Sequence, residues 1–290
     1  MYLFLQQSLK KEKLKFIYLA LKRVFIFFMF FNFFVDSPKI IAQENEAMKK
    51  VVDFSAFKTG EWLQYRIHYG IFNASYATLS LKQEKIKGIN VLHAKAYART
   101  KGLLRFFFKL EDIYESYFKA KEIEPLRFIR DIYEGGYTKN KIIDFDSENN
   151  LAFVDDIKNN IQSSHRIKNN TQDLISTFYY LRNYFPRDNI SQNESFNVNV
   201  FFDEENYDFN LKFMGIEILN TKFGKVECLK LIPVVQKGRV FKDDESITLW
   251  VSNDANRIPI RIKADIAIGS LDCDLENFKN IKHPFKIKIN

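Results

Sequence analysis

Apolar and polar residues alternate with period two over most of the chain from about residue 53 onward, the signature of half-buried strands. In EWLQYRIHY, Leu63, Tyr65, Ile67 and Tyr69 fall on one face and Gln64, Arg66 and His68 on the other. A turn at GIFNA leads to Ala77, Leu79 and Leu81. KIKGIN then reads as a hairpin loop returning through Asn90 to Thr100, with Leu92, Ala94, Ala96 and Ala98 on one face. SFNVNVFF places Phe196, Val198, Val200 and Phe202 together, and DEEN supplies a turn. NYDFNLKF then aligns Tyr207, Phe209, Leu211 and Phe213, so the pair predicts a hairpin. After ESITLWVS and a turn at NDANR, Ile258, Ile260, Ile262, Ala264, Ile266 and Ile268 alternate strictly, predicting a long strand with one apolar face.

One segment follows a different period. In TQDLISTFYYLRNYF, Leu174, Phe178, Leu181 and Phe185 recur at helical spacing, with Thr171 as the expected N-cap and Pro186 as the stop. The expected fold is therefore mainly β: curved antiparallel sheets, as a sandwich or half-barrel, with one central amphipathic helix. Residues 53–290 form a single domain with two β-rich halves, about 53–160 and 190–290, around helix 171–185. The polar stretch from Lys158 to Asn170 is expected to be a long loop.

The N-terminus has a separate logic. Lys10, Lys11, Lys13, Lys15, Lys22 and Arg23 precede an apolar run from Val24 to Val35, and a polar exit ends at IIAQ. A basic region, a short apolar region and a small residue before a polar start match a signal peptide over 1–42, cleaved near Ala42, with 43–52 as a flexible lead. The apolar run spans only about 18 Å as a helix, short of the ~30 Å of a hydrocarbon core. The expected location is the periplasm or cell envelope.

The net charge of +8 shrinks once this leader is set apart, since its seven basic and two acidic residues leave +3 over the rest. That is too little for binding driven by release of counterions from nucleic acid. Cys228 and Cys273 are the two cysteines, without metal or redox spacing, and are expected as buried, unpaired thiols on strands.

FKTGEWLQYRIHYGIFNA, DLISTFYYLRNY and above all LWVSNDANRIPIRIKADIAIGSLDCDL resemble the family called domain of unknown function 3108, particularly members from Bacteroidota. The likeness covers nearly all of residues 53–276. Asn73-Ala74-Ser75 departs from an Ala-Gly expected in the first hairpin turn. The resemblance implies an exported envelope protein and assigns no catalytic residue.

Chemistry-bearing motifs are sparse. His68, His93, His165 and His283 are scattered without ligand spacing, so neither a metal nor another cofactor is expected. There is no GxSxG, and Ser252-Asn253-Asp254 reads as a polar turn. Glu134-Gly135-Gly136-Tyr137 reads as a glycine hairpin turn. Leu103, Leu104, Phe106, Phe107 and Phe108, framed by Lys101, Arg105 and Lys109, form a core strand or, if exposed, a surface for peripheral membrane contact. Trp62, Tyr65, Tyr69, Tyr133, Tyr137 and Trp250 are the candidate ligand-binding residues, expected on the concave side of a curved sheet; the bland alternative is a filled aromatic core. The expected function is a non-enzymatic envelope module binding an apolar ligand or a partner protein. A hydrolase or carbohydrate-active enzyme using dispersed carboxylates such as Glu61, Glu134 and Asp254 is one alternative, and a structural envelope component is another.

Overall fold

The computed structural model describes residues 56–70, 72–102, 105, 109–186, 190–234, 247–265 and 270–288. The expected leader with its cleavage at Ala42, the lead 43–52, Ile266 and Ile268 lie outside the described residues. So do Leu103, Leu104, Phe106, Phe107 and Phe108.

Among the described residues, fourteen strands make one antiparallel sheet. The first eight are β1 (Trp62–Tyr69), β2 (Phe72–Ile86), β3 (Ile89–Thr100), β4 (Leu110–Lys119), β5 (Glu124–Glu134), β6 (Tyr137–Asp146), β7 (Leu151–Asp156) and β8 (Ile161–Arg166). The helix α1 (Leu174–Tyr184) follows. Then come β9 (Ser195–Phe202), β10 (Glu205–Thr221), β11 (Gly224–Val234), β12 (Ile247–Ser252), β13 (Pro259–Asp265) and β14 (Ser270–Lys279). The spatial order is β8-β7-β6-β5-β4-β3-β2-β1-β14-β13-β12-β11-β10-β9. The chain thus meanders from the middle of the sheet to one edge, crosses through α1 to the other edge, and meanders back to pair β14 with β1. The expectation of a curved antiparallel fold around a helix holds, and a single continuous sheet, not closed into a barrel, decides between its two forms.

The predicted hairpins form in the expected registers. Phe196 pairs with Leu211, Val198 with Phe209 and Val200 with Tyr207. Asp203 and Glu204 both take positive φ, 49° and 70°, as a two-residue turn between right-twisted strands requires. Gly135 and Gly136 do the same between β5 and β6, at 55° and 97°. The long strand expected from Ile258 appears as β13, ending at Asp265. Cys228 and Cys273 are buried on β11 and β14 with two strands between them, a lateral separation of about 14 Å at ~4.8 Å per strand.

Two expectations need correction. The stretch expected as a loop contains β8, whose residues are mostly exposed because it is an edge strand and has no apolar face to reveal it. The N-cap is Asp173, not Thr171. Asp173 Oδ1 accepts the amides of Ile175 and Ser176, each at 2.7 Å, and the Ser176 hydroxyl accepts the Asp173 amide at 2.8 Å. The β4 hydroxyl of Ser116 donates to Asp173 Oδ2 at 2.5 Å, so one buried carboxyl both starts the helix and pins it to the sheet. Burial pushes that carboxyl up to about 6. Thr171 instead donates to the Lys168 carbonyl.

The two edges of the sheet curl towards each other. The crossover segment lies along β9: Gln172 donates to Asn199 O at 2.8 Å and accepts from the Phe201 amide at 2.9 Å. The β9–β10 turn reaches across to the other meander. Asp203 accepts Arg130 Nη1 of β5 at 2.7 Å and Lys139 Nζ of β6 at 2.5 Å, while Glu204 pairs with Lys141 of β6. Phe201 and Phe202 pack on Phe145 and Phe128, with ring centroids 6.2 and 6.4 Å apart. These contacts hold a long sheet in a curl that its hydrogen-bond ladder leaves open.

This seam is testable at Asp203, because Asp203→Asn keeps a residue suited to the left-handed turn and removes only the charge. Arg130, 3% exposed, then loses its buried carboxylate partner. Urea unfolding should show a loss of about 3–5 kcal/mol with an unchanged slope. A loss within the range of exposed ion pairs, below ~1 kcal/mol, would mean that the seam contributes little.

Candidate functional site

The helix divides the interior into a filled side and an open one. Its buried face carries Ile175, Ser176, Thr177, Tyr179 and Arg182. Tyr179 packs edge-on against Phe57 at 4.7 Å and against Phe118 at 5.4 Å. Arg182 forms a bidentate pair with Glu61, Nη1 to Oε1 at 2.5 Å and Nη2 to Oε2 at 2.8 Å. Three of the four apolar positions that predicted the helix, Leu174, Phe178 and Leu181, are half-buried and line a cleft of about 210 Å³, while Phe185 is buried in the core. The stripe marks the helix and packs against the core, while the most buried face is anchored by an arginine that hydropathy reads as outward.

Small residues make the cleft. On the sheet side lie Ala77 and Thr78 of β2 and Ala96 and Ala98 of β3, with Ala77 paired to Ala98 and Leu79 to Ala96. Ala77, Ala96 and Ala98 share the inner face, and these three short side chains leave the helix standing off the sheet. Phe209, Leu249 and Ile262 line the cleft from the other meander. A smaller space of about 50 Å³ lies on the far side of Phe178 and Leu181, bounded by Leu211, Leu229 and Arg257.

Two polar side chains interrupt the apolar lining on β4. Asp112 and Tyr114 occupy inward positions in the run Leu110, Asp112, Tyr114, Ser116, Phe118. Asp112 is 1% exposed; its Oδ1 accepts the Tyr133 amide at 3.1 Å, and its carboxyl also meets the buried carboxyl of Glu134. Burial first, and then the negative charge of buried Glu134, push the Asp112 carboxyl up to about 8, against smaller opposing effects of the Tyr133 amide and Arg130. The pair thus favours a shared proton over two charges. Burial likewise raises Tyr114 well above the usual phenol range. The signal in the sequence was the aspartate itself, placed on the apolar parity of LEDIYESYF.

Of the six aromatic residues expected to share a concave face, only Tyr65 lines the cleft. Tyr69 packs against the core at the end of β1. Trp62 and Tyr133 lie on the opposite face from Leu63 and Ile132, under Lys279 and Lys109. Trp250 is turned away from the cleft residue Leu249, and its Nε1 donates to Glu217 at 3.1 Å. Tyr137, at the start of β6, is 46% exposed beneath Lys158. The expected grouping is thus corrected: alternation along different strands sends these rings to both faces. The three carboxylates of the enzymatic alternative are also dispersed among roles. Glu61 pairs with Arg182, and Asp254 Oδ1 accepts from the Ser252 hydroxyl and the Asn256 and Arg257 amides as the core of a turn. Glu134 lies beside Asp112. Among the described residues no cluster of three or more His, Cys, Asp or Glu is arranged to hold a metal.

Against known proteins, the model of the family described as protein of unknown function (DUF3108) matches residues 64–276. The chain belongs to the DUF3108 family. No curated protein matches this DUF3108 chain. Among solved structures it is similar to a β-barrel-like protein of domain of unknown function DUF1849 from Brucella abortus. That match has a TM-score of 0.50 and 10% identity, and covers 78% of this chain and 100% of that one. A DUF1089 family protein from Pseudomonas aeruginosa aligns with a TM-score of 0.36 and 8% identity, over 64% of this chain and 88% of that one. The Brucella likeness supports the fold of this family member and carries no activity with it.

The buried acid predicts how stability varies with pH. The folded chain holds a proton on Asp112 that the unfolded chain releases near the ordinary value of 3.8. Its contribution is complete below that value and is lost as pH rises from about 4 to about 8. Asp112→Asn, which does not ionise, should therefore raise Tm relative to the unsubstituted chain more at about pH 8 than at about pH 5. The difference should be several degrees, given roughly 2–4 °C per kcal/mol in a domain of this size. Parallel Tm curves for the two proteins would show that Asp112 does not carry the proton.

Proposed function

We propose that this DUF3108 protein is an exported envelope module that binds an apolar ligand in the cleft between α1 and strands β2 and β3. The observation that carries the reading is the construction of the cleft: an apolar helix stripe over three alanines, Ala77, Ala96 and Ala98, around a volume of about 210 Å³. A space of that size exceeds the ~150 Å³ that suffices to hold benzene in a protein interior, and lies below the ~300 Å³ at which drug-sized pockets begin. It suits one short or partly inserted apolar chain. Dispersed apolar residues at this density are ordinarily packed to crystal-like density, so a space kept open by alanines favours occupancy by something else. Export is supported by the basic and apolar leader of the sequence.

Ala96→Phe tests this by filling the cleft from β3. The chain, exported from a bacterial host and purified, is titrated with the neutral fluorophore N-phenyl-1-naphthylamine. The unsubstituted protein should enhance and blue-shift its emission, and Ala96→Phe should weaken the apparent affinity by about tenfold or more at unchanged Tm. Equal enhancement by both proteins would place the bound probe elsewhere and remove the support for a binding cleft.

A further inference from the structure

We infer that the cleft takes an unbranched alkyl chain, which runs between α1 and strands β12 and β13 into the smaller space beyond, with Phe178 and Leu181 setting what passes. The inference rests on the cleft reading and specifies what the cleft takes. Four residues line both spaces: Phe178 and Leu181 of α1, Leu249 of β12 and Pro259 of β13. The partition is therefore a narrow place with the helix on one side and the sheet on the other, and the two spaces lie in series. Beyond it the wall is mostly apolar, with Leu211, Leu229, Leu231 and Val251 all buried. Two arginines also touch it: Arg182, neutralised by Glu61, and Arg257, at the Asp254 turn.

Length and width decide the shape of the ligand. Along α1 the rise from Leu174 to Leu181 is about 10 Å, and that from Leu174 to Phe185 about 16 Å. The second space thus adds ~6 Å of path but little volume, about 50 Å³ against about 210 Å³. An extended hydrocarbon chain gains from such a path, because each methylene it buries adds to binding. A ring of equal carbon number fills the larger space and stops at the partition. Phe178 is held in place there: the Arg182 guanidinium lies 5.2 Å from its ring centroid, and the Tyr179 ring meets it edge-on at 5.1 Å. Arg182 is itself fixed by Glu61, so the buried pair that places the helix also anchors the partition.

The test is displacement of N-phenyl-1-naphthylamine by straight-chain alcohols from hexan-1-ol to dodecan-1-ol, with cyclodecanol as the ring counterpart of decan-1-ol. In the unsubstituted chain the displacing concentration should fall about fourfold per added carbon until the second space is full. Decan-1-ol should act at a concentration about tenfold or more below cyclodecanol. Leu229→Phe fills the second space from β11, and Leu229 does not line the cleft. It should leave hexan-1-ol unchanged and end the gain about three carbons earlier, in keeping with ~6 Å of lost path. Phe178→Ala, which widens the partition, should improve cyclodecanol about tenfold and so close most of its gap to decan-1-ol. If Leu229→Phe follows the unsubstituted chain at every length, or the ring displaces as well as the straight chain, the inference fails and the cleft stands. If no alcohol displaces the probe from the unsubstituted chain, the cleft reading fails with it. Should Leu229→Phe not fold, the response of cyclodecanol to Phe178→Ala decides, and no gain there overturns the inference.

Discussion

The ion pair between Arg182 and Glu61 fixes where the helix sits, and with it the division of the interior into core and cleft. Both residues are nearly inaccessible, at 3% and 1% side-chain exposure. Bringing the two charges out of water costs several kcal/mol per ion unless the geometry is good and the remaining donors are met. Here they are. The bidentate contact uses both terminal nitrogens, Nε donates to Asn256 O at 2.9 Å, and Nη2 also donates to Ala56 O at 3.2 Å. Phe57, Phe178 and Tyr179 surround the guanidinium with their rings. One side chain thereby ties α1 to the entry of β1 and to the β12–β13 turn, near the middle of the sheet.

The same network extends towards the C-terminus. Asn256, fully buried, exchanges hydrogen bonds with His283, donating from Nδ2 to its carbonyl and accepting its amide at Oδ1. Asp254 organises the turn from which Asn256 projects. At the other end of α1, Asp173 pins the first turn to Ser116 of β4. Held at both ends by polar contacts, the helix rests its stripe against the edge of the core, where Leu174, Phe178 and Leu181 also line a cleft. The polar seam at Asp203 supplies the remaining constraint by keeping the far strands curled over the helix. A sheet this long with one buried face can then enclose a helix without closing its own ladder.

What was legible in the sequence follows from how locally each feature is encoded. The hairpins at 196–213 and 247–265 and strand β1 are set by alternation and turn chemistry within a few residues of one another, and they appear in register. Strand β8 was hidden because an exposed edge strand has no apolar face, and its pairing to β7 reveals it. The cap at Asp173 was missed in favour of Thr171 because both are capping residues. The Ser116 hydroxyl and the Ser176 capping box that separate them belong to tertiary packing and to one residue's offset. The cleft itself was half visible: the alanines of β3 fall on one face in the sequence, and the space above them depends on where the helix is pinned. The aromatic grouping failed for a related reason, since parity is defined within a strand and has no meaning between strands until the registers are known. Asp112 was readable as a polar residue on an apolar parity, but its meaning depends on Glu134, which pairing of β4 with β5 brings alongside.

A double-mutant cycle on the ion pair tests most directly whether it holds the helix and creates the cleft. Urea unfolding would be measured for Arg182→Met, Glu61→Leu and the two together. Each single change strands a buried partner and should cost about 3–5 kcal/mol, while the double change restores an all-apolar contact and recovers a coupling of ~2 kcal/mol or more. Single costs that add to within about 0.5 kcal/mol in the double variant would show that the two side chains act independently, and would contradict the account.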